Sequence, residues 1–318
     1  MEAEFVRWLR EHVPQHPRQR LGLGDDAAVI HFGANANVVV TTDLLTDGVD
    51  YHIASDDPRR IGRKALAANL SDIAAMAARP VAAFISIAFP RQPTAAGTPL
   101  ELAIALYEGM LPLAAEYDLA IAGGDTNTYD GQLVISATLL GDVTDRGPLT
   151  RSGGRPGDWL FVTGELGGTI LGHSFDFTPR VREALLLHER YELHAGMDLS
   201  DGLALDASRL AAESGCGAVL FTDQVPIAAA ARQLAAREFD SLSNPQTAHE
   251  AALRHALGDG EDFELLLAAP PEAAAAILRD QPVSCGLTHV GELIADAGLW
   301  QQTSGSARQP LEPIGWLH

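Results

Sequence analysis

The segments NVVVTT (Asn37–Thr42), DDPRRIGRKALAANLSDIAAMAA (Asp56–Ala78) and VAAFISIAF (Val81–Phe89) decide the fold class. The first is a β-branched run suited to a strand. The second is rich in alanine and leucine, which favour helix, and Asp57 before Pro58 supplies a cap and a first turn. The third is a short apolar run that reads as another strand. Strand, helix and strand in that order predict an α/β or α+β chain. Outward from this core, Leu100–Glu116 reads as a helix and Leu119–Ala122 as a short strand ending at Gly123-Gly124. Gln132–Val143 reads as a further strand. The Gly- and Pro-rich SGGRPGD (Ser152–Asp158) marks a domain boundary, which predicts two domains, residues 1–150 and 151–318. In the second half Trp159–Thr163 reads as a strand, followed by a glycine-rich turn at Gly164–Gly168. A helix is expected from about Ser200 to Ser214, closed by Gly215-Cys216-Gly217. Ala228–Ala236 and Glu272–Arg279 read as surface helices and Phe263–Ala268 as a strand.

The 318 residues carry 22 Lys+Arg against 42 Asp+Glu, a formal charge of −20, and 47% of them are apolar. Such a chain can bury a sizeable core. Its acidity argues against non-specific binding to nucleic acid or anionic lipid, which requires a positive surface. Two cysteines, Cys216 and Cys285, exclude a disulfide scaffold and a cysteine-based zinc site. Met1–Val13 has no apolar core of a secretory signal, and Val81–Phe89 is too short to span a bilayer. A soluble cytoplasmic protein is expected. Lys64 is the single lysine, and no G-x-x-x-x-G-K-[ST] is present, so a nucleoside triphosphate would not be held by a P-loop. H-E-x-x-H and G-x-S-x-G are also absent.

The informative feature is where the acids fall. Asp25 and Asp26 follow Gly24 in a turn, Asp43 follows Thr41 and Thr42 at a strand end, and Asp125 follows Gly123-Gly124. Asp198 and Asp201 bracket Ser200 at a helix start, and Glu261-Asp262 follow Gly258-Asp259-Gly260. Singly, each has an ordinary reading as turn chemistry, a first-turn acid or a solvated rim. Asp72 lies inside an apolar helix beside Asn69 and Ser71. There a carboxylate needs a cation or a salt bridge to Arg63 or Lys64. Together the acids suit Mg²⁺, a hard cation that bridges carboxylates to substrate phosphates. Gly164–Gly168 could offer backbone N–H groups to a phosphate, and Arg151 a guanidinium fork.

The order and wording of these motifs resemble the thiamine-monophosphate kinase family, within the superfamily that includes aminoimidazole ribonucleotide synthetase. The matching pieces are GLGDDAAVI (Gly22–Ile30), VTTDLL (Val40–Leu45), KALAANLSDIAAMAARP (Lys64–Pro80) and AGGDT (Ala122–Thr126). They continue with LTRSGGRPGD (Leu149–Asp158), VTGELGG (Val162–Gly168), MDLSDGLALD (Met197–Asp206) and GDGEDFEL (Gly258–Leu265). The resemblance implies a two-domain fold of mixed sheets flanked by helices, with an amino-terminal ATP- and metal-binding domain through which homodimers form. It implies ATP as co-substrate, thiamine monophosphate as acceptor, and Mg²⁺. By similarity Asp26, Thr41, Thr42, Asp43, Asp72, Asp125, Asp198 and Asp201 match metal ligands, with Asp25 at the edge of the set. Asp43, Asp72, Asp125 and Asp201 would carry the catalytic step. Tyr107, Gly124, Asp125, Arg151 and Ser200 fall at ATP-contacting positions, and Glu261 matches a substrate-contacting acid.

Two departures fall on the acceptor side. The family pattern E-G-V-H-F reads Asp47-Gly48-Val49-Asp50-Tyr51 here, so Asp50 replaces a histidine, with His52 two residues on. The terminal G-[WYF]-x-H-F stops at Gly315-Trp316-Leu317-His318. Asp50 and Trp316 are therefore counted with Glu261 as acceptor-side residues. The alternatives are another enzyme of the superfamily with a different phosphorylated or amide acceptor, or a non-catalytic nucleotide- or metal-binding protein.

Overall fold

A computed structural model describes residues 19–21, 25–26, 28–31, 37–238 and 245–316. Three segments read above, Met1–Val13, Gly22–Gly24 and Leu317–His318, lie outside the described residues.

Strands β1 (Gln19–Leu21), β2 (Ala28–His31) and β3 (Asn37–Thr46) pair antiparallel in sequence. β3 runs past Thr42 to Thr46, so Asp43 lies within the strand and not at its end. Its period of two turns Val39, Thr41 and Leu45 inward and Thr42 and Leu44 outward. Helix α1 (Pro58–Ala75) starts as read: Asp57 accepts the N–H of Arg59 at 2.9 Å, and Pro58 occupies the first turn. Thirteen of its eighteen residues are buried, so it is a helix enclosed on several sides, which its alanines permit. It packs against α2 (Pro99–Glu116), capped reciprocally by Thr98 and Glu101. Two glycines allow this close approach. A Cβ on Gly62 would stand 2.0 Å from the carbonyl oxygen of Leu106, and one on Gly109 1.7 Å from that of Arg59.

Strands β4 (Ala78–Pro90) and β5 (Ala120–Tyr129) are parallel, joined through α2, and β6 (Val134–Val143) inserts between β3 and β4. The first sheet has the order β1-β2-β3-β6-β4-β5. β5 is a ten-residue strand that passes through Gly123-Gly124, so Asp125 too is mid-strand. Backbone proximity explains the glycine: a Cβ on Gly124 would lie 1.8 Å from the Ile85 carbonyl oxygen. α1 and α2 cover one face of this sheet, while Leu44 (63% exposed), Phe84 and Tyr129 stand on the open one.

A 3₁₀ turn (Arg151–Gly153) leads to β7 (Trp159–Thr163), α3 (His173–Asp176), α4 (Val181–Arg190), β8 (Ala195–Asp198), α5 (Leu203–Glu213) and β9 (Gly217–Phe221). Next come α6 (Ala229–Glu238), α7 (Pro245–Gly258), β10 (Leu265–Ala269), α8 (Pro271–Asp280), β11 (Leu287–Ile294), β12 (Gly298–Gln302) and β13 (Gln309–Pro310). The second sheet has the order β13-β12-β9-β11-β7-β10-β8, antiparallel except for the β9–β12 pair. It is covered on both sides. Phe161, Leu265 and Leu267 belong to the core around α1, whereas Leu160, Val162 and Leu266 belong to a second core with α5, α6 and α7. The two halves thus share a core.

Two boundaries in the second half also move. α5 begins at Leu203, not Ser200, because Asp206 folds back to accept the N–H groups of Asp201 and Gly202 at 3.0 and 3.1 Å. Strand β10 begins at Leu265, not Phe263: Glu261 and Phe263 have left-handed backbones (φ +55° and +49°), which a strand excludes. Among the described residues no helix is long and apolar enough to cross a membrane.

Candidate metal and phosphate site

Three separate segments deliver the carboxylates. Asp26 comes from the turn before β2, Asp72 from the last turns of α1, and Asp198 from the end of β8. One oxygen of each lies within 4.8 Å of the others. The Thr41 hydroxyl on β3 donates to Asp72, and Ser71 Oγ donates to Asp198 Oδ2 at 2.7 Å. The salt bridge from Asp72 to Arg63 or Lys64 is not made. Arg63 donates to the carbonyls of Phe175 and Phe177, and Lys64 pairs with Glu261.

Burial and mutual repulsion act on Asp43, Asp72 and Asp198. Asp43 is pushed up to about 7, chiefly by burial, then by Asp198 and Asp50. Asp72 is raised well above the carboxylate range by burial, Asp43 and Asp198. Burial raises Asp198 as well, opposed by the Ser71 hydrogen bond and the charge of Arg151. Asp25 rises to about 6 through burial, offset in part by the N–H of Arg151. A bound cation would favour the ionised forms of like charges gathered this way. Asp26 Oδ2 and Asn69 Oδ1 are buried without a hydrogen-bond partner. Orphaned oxygens of this kind call for a ligand, and an all-oxygen donor set fits Mg²⁺.

Arg151 is committed to the carboxylates. Its guanidinium pairs with Asp26, whose side chain is 1% exposed, and its N–H bonds Asp25 Oδ2 at 3.0 Å. Asp201 is adjacent in sequence to the group but pairs with Arg209, which also bonds Asp206 at 3.0 Å.

Other expected residues lie elsewhere. In register, Asp125 shares a row with Ser86, Ser136 and Leu44 on the open face, while Asp43 shares the next row with Ala137 and Ile85 toward the helices. Thr42 is likewise outward, bonded to the Ala137 carbonyl and the Thr138 hydroxyl. Tyr107 packs on the core from α2. α2 runs antiparallel to α1 with Leu106 level with Gly62, which puts Tyr107 about 16 Å along the helix from Asp72. Gly124 is on edge strand β5, apart from the carboxylates. Ser200 contributes its carbonyl, which accepts the N–H of Glu261 at 2.7 Å.

The glycine turn is already satisfied from within the chain. Gly167 N–H donates to Asp262 Oδ1 at 2.7 Å and Gly168 N–H to Asp259 Oδ2 at 2.8 Å. These two N–H groups clamp the turn to residues 259–262, in keeping with the reading as a structural turn and not as a phosphate cradle. Of the residues expected at the acceptor, Asp50 Oδ2 takes the N–H of Thr46 at 2.6 Å, and Trp316 N–H donates to the Asp201 carbonyl at 2.9 Å. Asn69, Ser71, Arg209 and Asp206 were not read as site residues. Asn69 and Ser71 stood in the same helical motif as Asp72, one turn and one residue away, and that spacing was the available signal.

Residues 24–143 match the AIR synthase related protein N-terminal domain, and residues 155–299 the C-terminal domain. The thiamine-monophosphate kinase of Rhodopirellula baltica is 40% identical over 325 residues, covering 100% of this chain and 97% of that protein. The crystal structure of thiamine-monophosphate kinase from Stenotrophomonas maltophilia is 30% identical, covers 96% of each chain, and superposes with a TM-score of 0.71. A structure described as AaThiL complexed with AMPPCP and TMP shares the fold at a TM-score of 0.76 and 24% identity, covering 99% of this chain and 95% of that one. Matched end to end by such relatives, with its acidic motifs in the family's order, the chain belongs to the thiamine-monophosphate kinase family.

Proposed function

We propose that the chain transfers the γ-phosphoryl group of ATP to the phosphate of thiamine monophosphate, giving thiamine diphosphate and ADP. The observation that carries this reading is the convergence of Asp26, Asp72 and Asp198 from three segments onto one point, in a chain 40% identical throughout to a thiamine-monophosphate kinase. Mg²⁺ held by these carboxylates and Asp43 would neutralise the phosphate oxygens and favour in-line transfer. Thr41 and Ser71 fix the rotamers of Asp72 and Asp198, and Arg151 holds the turn carrying Asp25 and Asp26 against them. The acceptor is already an anion, so no strong general base is required and alignment does the work.

The remaining assignments belong to the same reading. By resemblance to the family and not by this geometry, Tyr107, Gly124, Asp125, Arg151 and Ser200 are assigned to ATP, Thr42, Asp125 and Asp201 to the metal set, and Asp50, Glu261 and Trp316 to the acceptor end. Residues 1–150 and 151–318 act as two domains of a cytoplasmic enzyme. Two copies pair through the open face of the first sheet; the exposed Leu44, Phe84 and Tyr129 support this, and it would give Thr42 and Asp125 a buried setting.

The test is product identification with purified protein, Mg²⁺-ATP and thiamine monophosphate. Equimolar ADP and thiamine diphosphate are expected. ADP with inorganic phosphate and no diphosphate product would overturn the reading.

A further inference from the structure

Lys64 is the only lysine in the chain and is 2% exposed. A buried ammonium is costly unless it is paired and hydrogen-bonded. Its Nζ donates to the Asp50 carbonyl at 2.9 Å and to Glu261 Oε1 at 2.6 Å, and it stands 5.1 Å over the Phe175 ring. The donors are therefore turned to named groups, so Lys64 is built to hold other residues and not to meet a phosphate itself. Glu261 differs from its partner: its side chain is 38% exposed, held by Lys64 and still accessible to a ligand.

The backbone of Glu261 is fixed independently. Its left-handed conformation is unfavourable for a non-glycine residue and persists only where neighbours determine it. Those neighbours are the Ser200 carbonyl, which accepts the Glu261 N–H, and the Leu199 carbonyl, which accepts the Phe263 N–H at 2.9 Å. On the other side Asp259 and Asp262 anchor the loop to Gly168 and Gly167. The loop is thus tied to the segment carrying Asp198, and Lys64 ties its carboxylate to α1 and to the turn containing Asp50.

We propose that Lys64 is a positioning residue for acceptor recognition: it holds the Glu261 carboxylate and the Asp50 turn as one wall that receives the cationic ring end of thiamine monophosphate. This rests on the function proposed above. The test is a double-mutant cycle in steady-state kinetics with Lys64→Met, Glu261→Gln and the double variant. Lys64→Met is expected to raise KM for thiamine monophosphate roughly tenfold with KM for ATP nearly unchanged. The double variant should be no worse than the poorer single one, and Lys64→Arg should restore part of the affinity. Multiplying effects in the double variant, or an unchanged acceptor KM in Lys64→Met, would overturn the proposal. If Lys64→Met does not fold, the cycle of Lys64→Arg with Glu261→Gln carries the same comparison. Wild-type protein that forms no thiamine diphosphate would instead defeat the function itself, so the two failures are distinguishable.

Discussion

Ser71 Oγ donates a 2.7 Å hydrogen bond to Asp198 Oδ2, joining α1 of the first half to the end of β8 in the second. Both residues are buried. The bond stabilises the ionised form of Asp198 against the burial that raises it. It is also a link between halves at the point where the carboxylates meet. Ser71→Ala should cost about 1–2 kcal/mol of stability, since it removes a bond to a charged acceptor. It should also weaken Mg²⁺-dependent activity, read as a higher Mg²⁺ concentration at half-maximal rate. An unchanged metal dependence would show that Asp198 needs no such orientation.

Asp72 and Asp43 are each disfavoured as anions by burial and by their neighbours. Asp72→Asn removes one repelling charge while keeping the shape. The metal-free variant should be as stable as the parent or more so, while kcat falls by roughly 100-fold or more. Asp43→Asn should behave alike. Thermal unfolding with and without MgCl₂ checks this: the rise in Tm on adding metal should shrink in both variants. A fully active Asp72→Asn protein would remove Asp72 from the metal set.

Arg151 neutralises an Asp26 side chain that is almost wholly enclosed. Arg151→Met leaves that carboxylate unpaired, so the metal-free protein should lose about 3 kcal/mol. Added Mg²⁺ should recover part of the loss, because the metal replaces the missing charge. Arg151→Lys keeps the charge but not the fork, and should fall between the two. Chemical denaturation at fixed MgCl₂ reads the differences.

His289 stacks on Trp159 with centroids 4.4 Å apart and meets the edge of Phe221 at 5.4 Å. Burial lowers its pKa from the ordinary 6.5. A histidine whose folded pKa is depressed contributes stability that is present above the unfolded value and lost as pH falls below it. Parent protein should therefore lose stability relative to His289→Phe as pH drops below about 6.5. The comparison of the two proteins matters, because the buried carboxylates act in the opposite sense: Asp43 and Asp206, both raised to about 7, disfavour the fold increasingly as pH rises from about 4. Parallel Tm–pH curves for the two proteins would refute the assignment to His289.

Local chemistry along the chain determined the elements and the inventory of the site. Helix α1, its Asp57 cap, the α2 helix and the strands around them follow from propensity, capping and apolar runs that act within a few residues. Local setting likewise marks Asp26 in a glycine-rich turn, Asp43 after a β-branched run, Asp72 inside an apolar helix and Asp198 before a helix start. Which of those acids meet was decided only by tertiary structure, because strand register and helix packing depend on residues far apart in sequence. A period of two places Asp43 toward α1 and Asp125 in an outward row, although both follow small or β-branched residues in similar wording. Asp201 is turned to Arg209 by an eight-residue return through α5, and the N–H groups of Gly167 and Gly168 are taken by Asp262 and Asp259 more than ninety positions away. The bond from Ser71 to Asp198 spans 127 positions, and that from Lys64 to Glu261 spans 197. No local signal encodes pairings at such separations; they arise when α1 is buried between the two sheets.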